Sequence, residues 1–115
     1  MKISKENRSI EYIERAFGGT GYIAKEPLIG SELLGSHCGL FANVSLKPNC
    51  ELGHHEHHGE AEVYYIITGT GMYDDNGIHQ EARPGDVFYC PDGTGHGIKN
   101  TGTEELVFVA LILKS

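Results

Sequence analysis

The stretch Gly53-His54-His55-Glu56-His57-His58-Gly59-Glu60-Ala61-Glu62 places four of the chain's seven histidines beside three glutamates. Histidine is the commonest metal ligand, and residues two apart on a strand share a face with Cα atoms about 6.5 Å apart, close enough to meet on one ion. His55 with His57 meets that condition. So do His54 with Glu56 and Glu56 with His58, and parity alone does not choose among the three pairs. A solvated, histidine-rich turn would produce the same letters.

The surrounding elements read as β-structure. Sixteen glycines fall between short β-rich runs rather than in one low-complexity stretch, the punctuation of an all-β chain. The pattern predicts strands at Tyr22 to Lys25, Leu40 to Lys47, Val63 to Thr68, Gly71 to Asp74, Ile78 to Ala82, Asp86 to Cys90, His96 to Lys99 and Glu105 to Leu113. Turn signals separate them: Lys47-Pro48-Asn49, Asp75-Asn76-Gly77, Arg83-Pro84-Gly85-Asp86, Pro91-Asp92-Gly93 and Asn100-Thr101-Gly102, each able to supply a fixed or positive φ. Strands at roughly eight- to twelve-residue spacing indicate a sandwich or barrel. The one helical candidate is Ser9 to Phe17, where Ile10, Ile13 and Phe17 could share a face before Gly18-Gly19 ends it. No internal repeat or linker divides the 115 residues, so a single domain over 1–115 is expected, with residues 1–20 as an N-terminal arm.

Composition excludes several classes of partner. The formal net charge is −7 and the lysines and arginines are scattered, which leaves nothing to grip a phosphate backbone, so no nucleic-acid partner is expected. No apolar run approaches the ~20 residues needed to cross a bilayer, and MKISKENRSIEYIERAF has no signal-peptide core. A cytoplasmic protein without a membrane partner is the expectation. Cys38, Cys50 and Cys90, odd in number and widely spaced, suit reduced core residues better than disulfides or zinc ligands.

Two distant segments agree on one pattern. From Pro48-Asn49, five residues lead to His55-x-His57, four more to Glu62 and six more to Gly69; downstream, Gly85 is followed after five residues by Pro91-x-Gly93, after two by His96 and after three by Asn100. These strings resemble the paired signature motifs of the cupin superfamily, PG-x5-HxH-x3–4-E-x6-G and G-x5-PxG-x2-H-x3-N. The second is matched throughout, and the first departs only where Asn49 stands for glycine, a residue that tolerates the same left-handed turn. The resemblance covers residues 48–69 and 85–100 directly. It implies an antiparallel double-stranded β-helix, or jelly-roll barrel, with at most one short N-terminal helix.

The resemblance also implies a ligand set, His55, His57, Glu62 and His96, holding one divalent ion inside the barrel. An N/O set of this kind suits Mn, Fe, Ni or Zn, and four protein ligands leave an octahedral ion two positions for water or substrate. By strand parity Tyr64 and Ile66 accompany Glu62, and Ile98 accompanies His96, into the interior. On the neighbouring wall, either Phe41, Asn43 and Ser45 or Ala42, Val44 and Leu46 face inward. Tyr64 is the candidate catalytic residue, as a hydrogen-bond or proton donor, and Asn100 reads as a turn cap. An anionic substrate such as oxalate calls for an inward cation, but Arg8, Arg15 and Arg83 lie in the arm or a turn, leaving Lys25 or Lys47.

The expected function is that of a metal-dependent enzyme acting on a small oxygenated metabolite, a carboxylate or sugar derivative, bound inside the barrel. The competing reading is a non-catalytic protein that binds or senses such a molecule. Leu106 to Leu113 is apolar at both parities and Val63 to Ile67 nearly so, and a barrel interior covers only one face of each. A homodimer is therefore expected, formed through the outward set, either Leu106, Phe108, Ala110 and Ile112 or Val107, Val109, Leu111 and Leu113. The resemblance adds that an N-terminal strand near Tyr22 is sometimes exchanged in such pairs.

Overall fold

The computed structural model describes residues 1–115. Ten strands run in chain order: β1 (Glu11–Glu14), β2 (Tyr22–Pro27), β3 (Cys38–Leu46), β4 (Glu51–Glu56), β5 (Glu60–Thr68), β6 (Gly71–Asp75), β7 (Ile78–Ala82), β8 (Val87–Cys90), β9 (Gly95–Asn100) and β10 (Leu106–Lys114). They form a six-stranded sheet, β1-β2-β3-β10-β5-β8, facing a four-stranded sheet, β4-β9-β6-β7. All pairings are antiparallel, and the two sheets make the expected jelly roll. All eight predicted strands are present. The only α-helical turn is α1 (Ser31–Leu34), and no helix is long and apolar enough to cross a membrane.

The N-terminal arm departs from expectation. Ser9 to Phe17 is not helical: Glu11–Glu14 is β1, followed by a 3-10 turn over Ala16–Gly18. A helix of nine residues is marginal in water, whereas the free edge of β2 offers a complete ladder, in which Glu11 pairs with Lys25 and Ile13 with Ile23. Alternation then turns Ile13 toward the core, where it packs against the buried cluster, and leaves Ile10 exposed.

Alternation also resolves the walls. Ala42, Val44 and Leu46 of β3 point inward with Ile66 of β5 and Leu106, Phe108 and Ala110 of β10, all essentially buried, against Leu52, Tyr73 and Ile98 of the smaller sheet. The outward set of β10 is therefore Val107, Val109, Leu111 and Leu113. Beside Leu113 on that outer face, Tyr65, Ile67, Val87 and Tyr89 are exposed. β1 extends the edge of this sheet instead of folding back across it.

The turns use the residues the sequence offered. Asn49, at the glycine position of the first motif, has φ 69°, so it supplies the left-handed conformation itself. Asn76 and Gly77 both have positive φ, the pattern of the tight β6–β7 hairpin. Asn100 is fully buried; its Nδ2 donates to Leu46 O and Glu104 O, both at 2.8 Å, and its Oδ1 accepts from Gly102 N at 2.9 Å. It ties the end of β9 to β3 and to the turn before β10, the capping role expected of it.

Candidate metal centre

One irregularity decides which histidines face inward. Along β4 and β9, Leu52 opposes Ile98 and His55 opposes His96, so three steps on β4 match two on β9. The extra residue is a bulge. It puts His55 on the same interior face as Leu52 despite their odd separation and throws His54 outward, where its Nδ1 lies 2.7 Å from Asp74 Oδ2. The bulge packs on Gly97, whose added Cβ would come within 3.1 Å of the β4 backbone at three atoms. His57 lies just past the end of β4 and is held by its main chain, N to Thr94 O at 3.0 Å and O from Gly93 N at 2.8 Å. The turn that delivers His96 thus also fixes His57.

Four side chains converge. Glu62 Oε1 lies 2.8 Å from His57 Nε2, 2.9 Å from His96 Nε2 and 3.8 Å from His55 Nε2, and His57 Nε2 is 3.1 Å from His96 Nε2. His57, Glu62 and His96 are buried and His55 nearly so. Glu56 and His58 instead meet each other at the exposed surface. The structure therefore brings together the predicted four and leaves out the neighbours of other parity.

Tautomers test whether this cluster suits an ion. His55 Nδ1 donates to Gly53 O at 2.8 Å and His57 Nδ1 to Glu60 Oε2 at 2.8 Å. Each acceptor takes the Nδ1 proton, so both rings turn Nε2, the nitrogen a metal would use, toward the Glu62 carboxylate. A positive centre among these atoms, shared protons or a metal ion, suits that arrangement. Two donors about 2.1 Å from one ion and at right angles lie about 3.0 Å apart, close to the three shorter separations. The group can hold a metal ion.

Burial pushes the Glu62 carboxyl up, but hydrogen bonds from His55 and His96 and the charges of His96 and His57 outweigh it, leaving the carboxyl at about 2 against an ordinary 4.5. Burial pushes His96 below its ordinary 6.5, opposed by Glu62. Both folded-state values lie below the unfolded ones, so the unfolded chain binds more protons and stability rises with pH. The His96 contribution is complete above 6.5 and lost as pH falls below it; that of Glu62 is lost below 4.5, toward 2. Thermal melts of chelator-treated protein are expected to show a lower midpoint at pH 5 than at pH 7.5. A midpoint that rose on acidification would contradict a neutral, buried His96.

Sequence reasoning missed the supports of the cluster. Tyr73 OH lies 2.8 Å from His96 Nδ1, Glu60 orients His57, and Phe17 stacks on His55 with ring centroids 4.1 Å apart. The spacing of Glu60 from His57 was a readable signal; for Tyr73 and Phe17 none existed without the sheet register. Tyr64 sits where parity put it, buried and stacked on His96 at 4.7 Å. Burial, and then the Glu62 charge, hold its phenol proton well above the ordinary range, so it is a donor and not a base at neutral pH.

A cavity of about 510 Å³ opens over the cluster, lined by ten hydrophobic residues among sixteen. His55, His57, Glu62 and Tyr64 are at its inner end and Phe17 stands at its mouth, 64% exposed. Lys25 lines it too, 3.6 Å from Glu11. Lys47 instead pairs with Glu105 outside the cavity. The cysteines are free, as expected, and are not part of the cluster.

Comparison with known proteins gives a consistent picture. An oxalate-binding protein of Thermotoga maritima is 38% identical over 113 residues, 98% of this chain and 93% of that one. The crystal structure of a predicted oxalate decarboxylase from the same organism superposes with a TM-score of 0.95 at 35% identity, covering 100% of both chains. The polyketide cyclase RemF of Streptomyces resistomycificus shares the fold, with a TM-score of 0.77 at 20% identity over 98% of this chain and 78% of that one. The family described as Cupin domain matches residues 42–112, and with that match the chain belongs to the cupin family.

Proposed function

We propose that this protein is a metal-dependent enzyme acting on a small oxygenated metabolite, a carboxylate or sugar derivative, bound inside the barrel. His55, His57, Glu62 and His96 hold one divalent ion, with Mn, Fe, Ni and Zn as the candidates. The observation that carries this reading is the convergence of three imidazole Nε2 atoms on Glu62 Oε1 at the inner end of an open cavity. A bound divalent ion supplies Lewis acidity toward a carbonyl or carboxylate oxygen. Glu60 and Tyr73 keep the rings of His57 and His96 in orientation. Tyr64 offers an O–H to an oxygen of the bound molecule. The apolar walls exclude water from around it.

A second reading is non-catalytic capture of a small acid. The Thermotoga relative is named for binding oxalate, and Tyr64, with its proton held tightly, is no base. The test is elemental analysis of untagged protein, followed by calorimetry with oxalate and other small acids before and after chelation. About one ion per chain and binding abolished by chelation are expected. Turnover of any acid in the panel then separates enzyme from binder.

The same proposal extends to assembly and location. A homodimer covers the outer face that carries Tyr65, Ile67, Val87, Tyr89 and Leu113. Light scattering at micromolar concentration is expected to give about twice the 12.6 kDa chain mass; a monodisperse monomer would refute it. A cytoplasmic location without nucleic-acid or membrane partners fits the acidic, reduced-cysteine chain.

A further inference from the structure

Resting on the metal-binding reading above, the geometry points to a particular ligand class: a monoanionic oxo acid with a chelating head and an uncharged apolar chain of several carbons, rather than a small dicarboxylate. Three observations carry this. The first is size, since a cavity of about 510 Å³ falls within the ~300–1,000 Å³ of pockets that enclose drug-sized ligands. A two-carbon diacid held at the inner end would leave most of it to water. The second is chemistry, because beyond the four-residue cluster the wall is set by Ile13, Ile23, Leu40, Val44, Leu52 and Ile112. Five of them lie on β1, β2, β3 and β10, neighbours in the larger sheet, and Leu52 faces them from β4 of the smaller one, so apolar surface lines both walls of the path from cluster to mouth.

The third observation is charge. Lys25 is the single lysine or arginine on the wall, and it is already paired with Glu11. β2, which carries it, lies three strand positions from β5, which carries Glu62, about 14 Å at the usual strand spacing. Glu56 and Glu60 line the same cavity. A second carboxylate on the ligand would therefore meet negative charge near the cluster and a compensated lysine at the far wall. An oxo acid keeps the adjacent oxygen pair through which oxalate would chelate an ion, and replaces the second carboxylate by a ketone bearing a chain that the wall can bury.

The experiment is calorimetry on the metal-loaded full chain with pyruvate, 2-oxopentanoate, 2-oxooctanoate, oxalate and 2-oxosuberate. Burial of each added methylene is expected to tighten binding about threefold to fourfold, so 2-oxooctanoate, with five more methylenes, binds about 240- to 1,000-fold tighter than pyruvate. It also binds tighter than oxalate, and tighter than 2-oxosuberate, which has the same length but ends in a carboxylate. Ile13→Thr keeps the β-branched shape favoured in β1 but makes the wall polar; it is expected to weaken the dependence on chain length while leaving metal content unchanged. A flat series in the native protein, or tightest binding of oxalate or 2-oxosuberate, would overturn the inference. Metal content measured on the same samples separates the failures. A full complement of ion with a flat series sinks the ligand class alone, whereas a protein that takes up no ion sinks the reading on which it rests.

Discussion

His57→Ala and His96→Ala are expected to empty the metal site, reducing affinity by well over about a hundredfold, while His54→Ala and His58→Ala leave about one ion per chain. The ranking follows from where the bulge in β4 sends each ring. His57 and His96 place Nε2 within 3 Å of Glu62 Oε1 and are buried; His54 meets Asp74 and His58 meets Glu56 at the surface. Removing a group that only orients a metal ligand costs about 10- to 100-fold in affinity, so removing the ligand itself costs more. That principle gives an intermediate class as well: Glu60→Ala and Tyr73→Phe, which free the Nδ1 atoms of His57 and His96, are expected to weaken metal by about 10- to 100-fold without emptying the site. Elemental analysis after dialysis against a weak chelator reads all six variants. A His58→Ala protein without metal beside a His57→Ala protein with a full complement would show that the register assigned here is wrong.

How much of this was legible in the sequence depends on how local the cause is. Eight of the ten strands and five of the turns between them were readable, because Gly, Pro and Asn at fixed offsets and β-rich runs are local signals. The N-terminal arm was not: Ile10, Ile13 and Phe17 fit a helical face, and only the free edge of β2, a tertiary fact, makes Glu11–Glu14 a strand. The four converging residues were named by motif resemblance, not by parity. Parity counted from Leu52 would have put His54 and Glu56 inside, and the bulge that reverses it depends on Gly97 leaving room across the sheet. The inward set of β3 and β10 was open at both parities, since apolar residues fill both faces. Tyr73 reaches the cluster through the pairing of β6 with β9, and Phe17 through the packing of the Ala16–Gly18 turn on β4, contacts between residues far apart in sequence that no spacing encodes.

The last expectation concerns Asn100, where a one-atom change is expected to cost the most stability. Its Nδ2 donates to Leu46 O and Glu104 O and its Oδ1 accepts from Gly102 N, with no exposure to solvent. Asn100→Ala removes all three bonds in a buried setting, at about 1 kcal/mol or more each, and so about 3 kcal/mol in all. For a chain of this size that lowers the thermal midpoint by roughly 12–15 °C. Asn100→Asp is nearly isosteric but worse, because the amide that donated twice becomes a carboxylate facing two carbonyl oxygens without a proton to offer. Its folded-state pKa is therefore raised above the unfolded one, so the penalty is full at high pH and shrinks as pH falls toward the unfolded value, when the acid gains a proton and can donate once. The background moves the other way, since the native protein itself loses stability on acidification through His96 and Glu62. The quantity to follow is thus the gap between Asn100→Asp and native midpoints, measured side by side in melts from pH 8 to pH 5. The gap is expected to narrow steadily toward pH 5, and to remain constant for Asn100→Ala, which carries no titrating group. An Asn100→Asp gap that stayed constant with pH would mean that the side chain reaches water and that Asn100 does not tie β9 to β3 as its hydrogen bonds indicate.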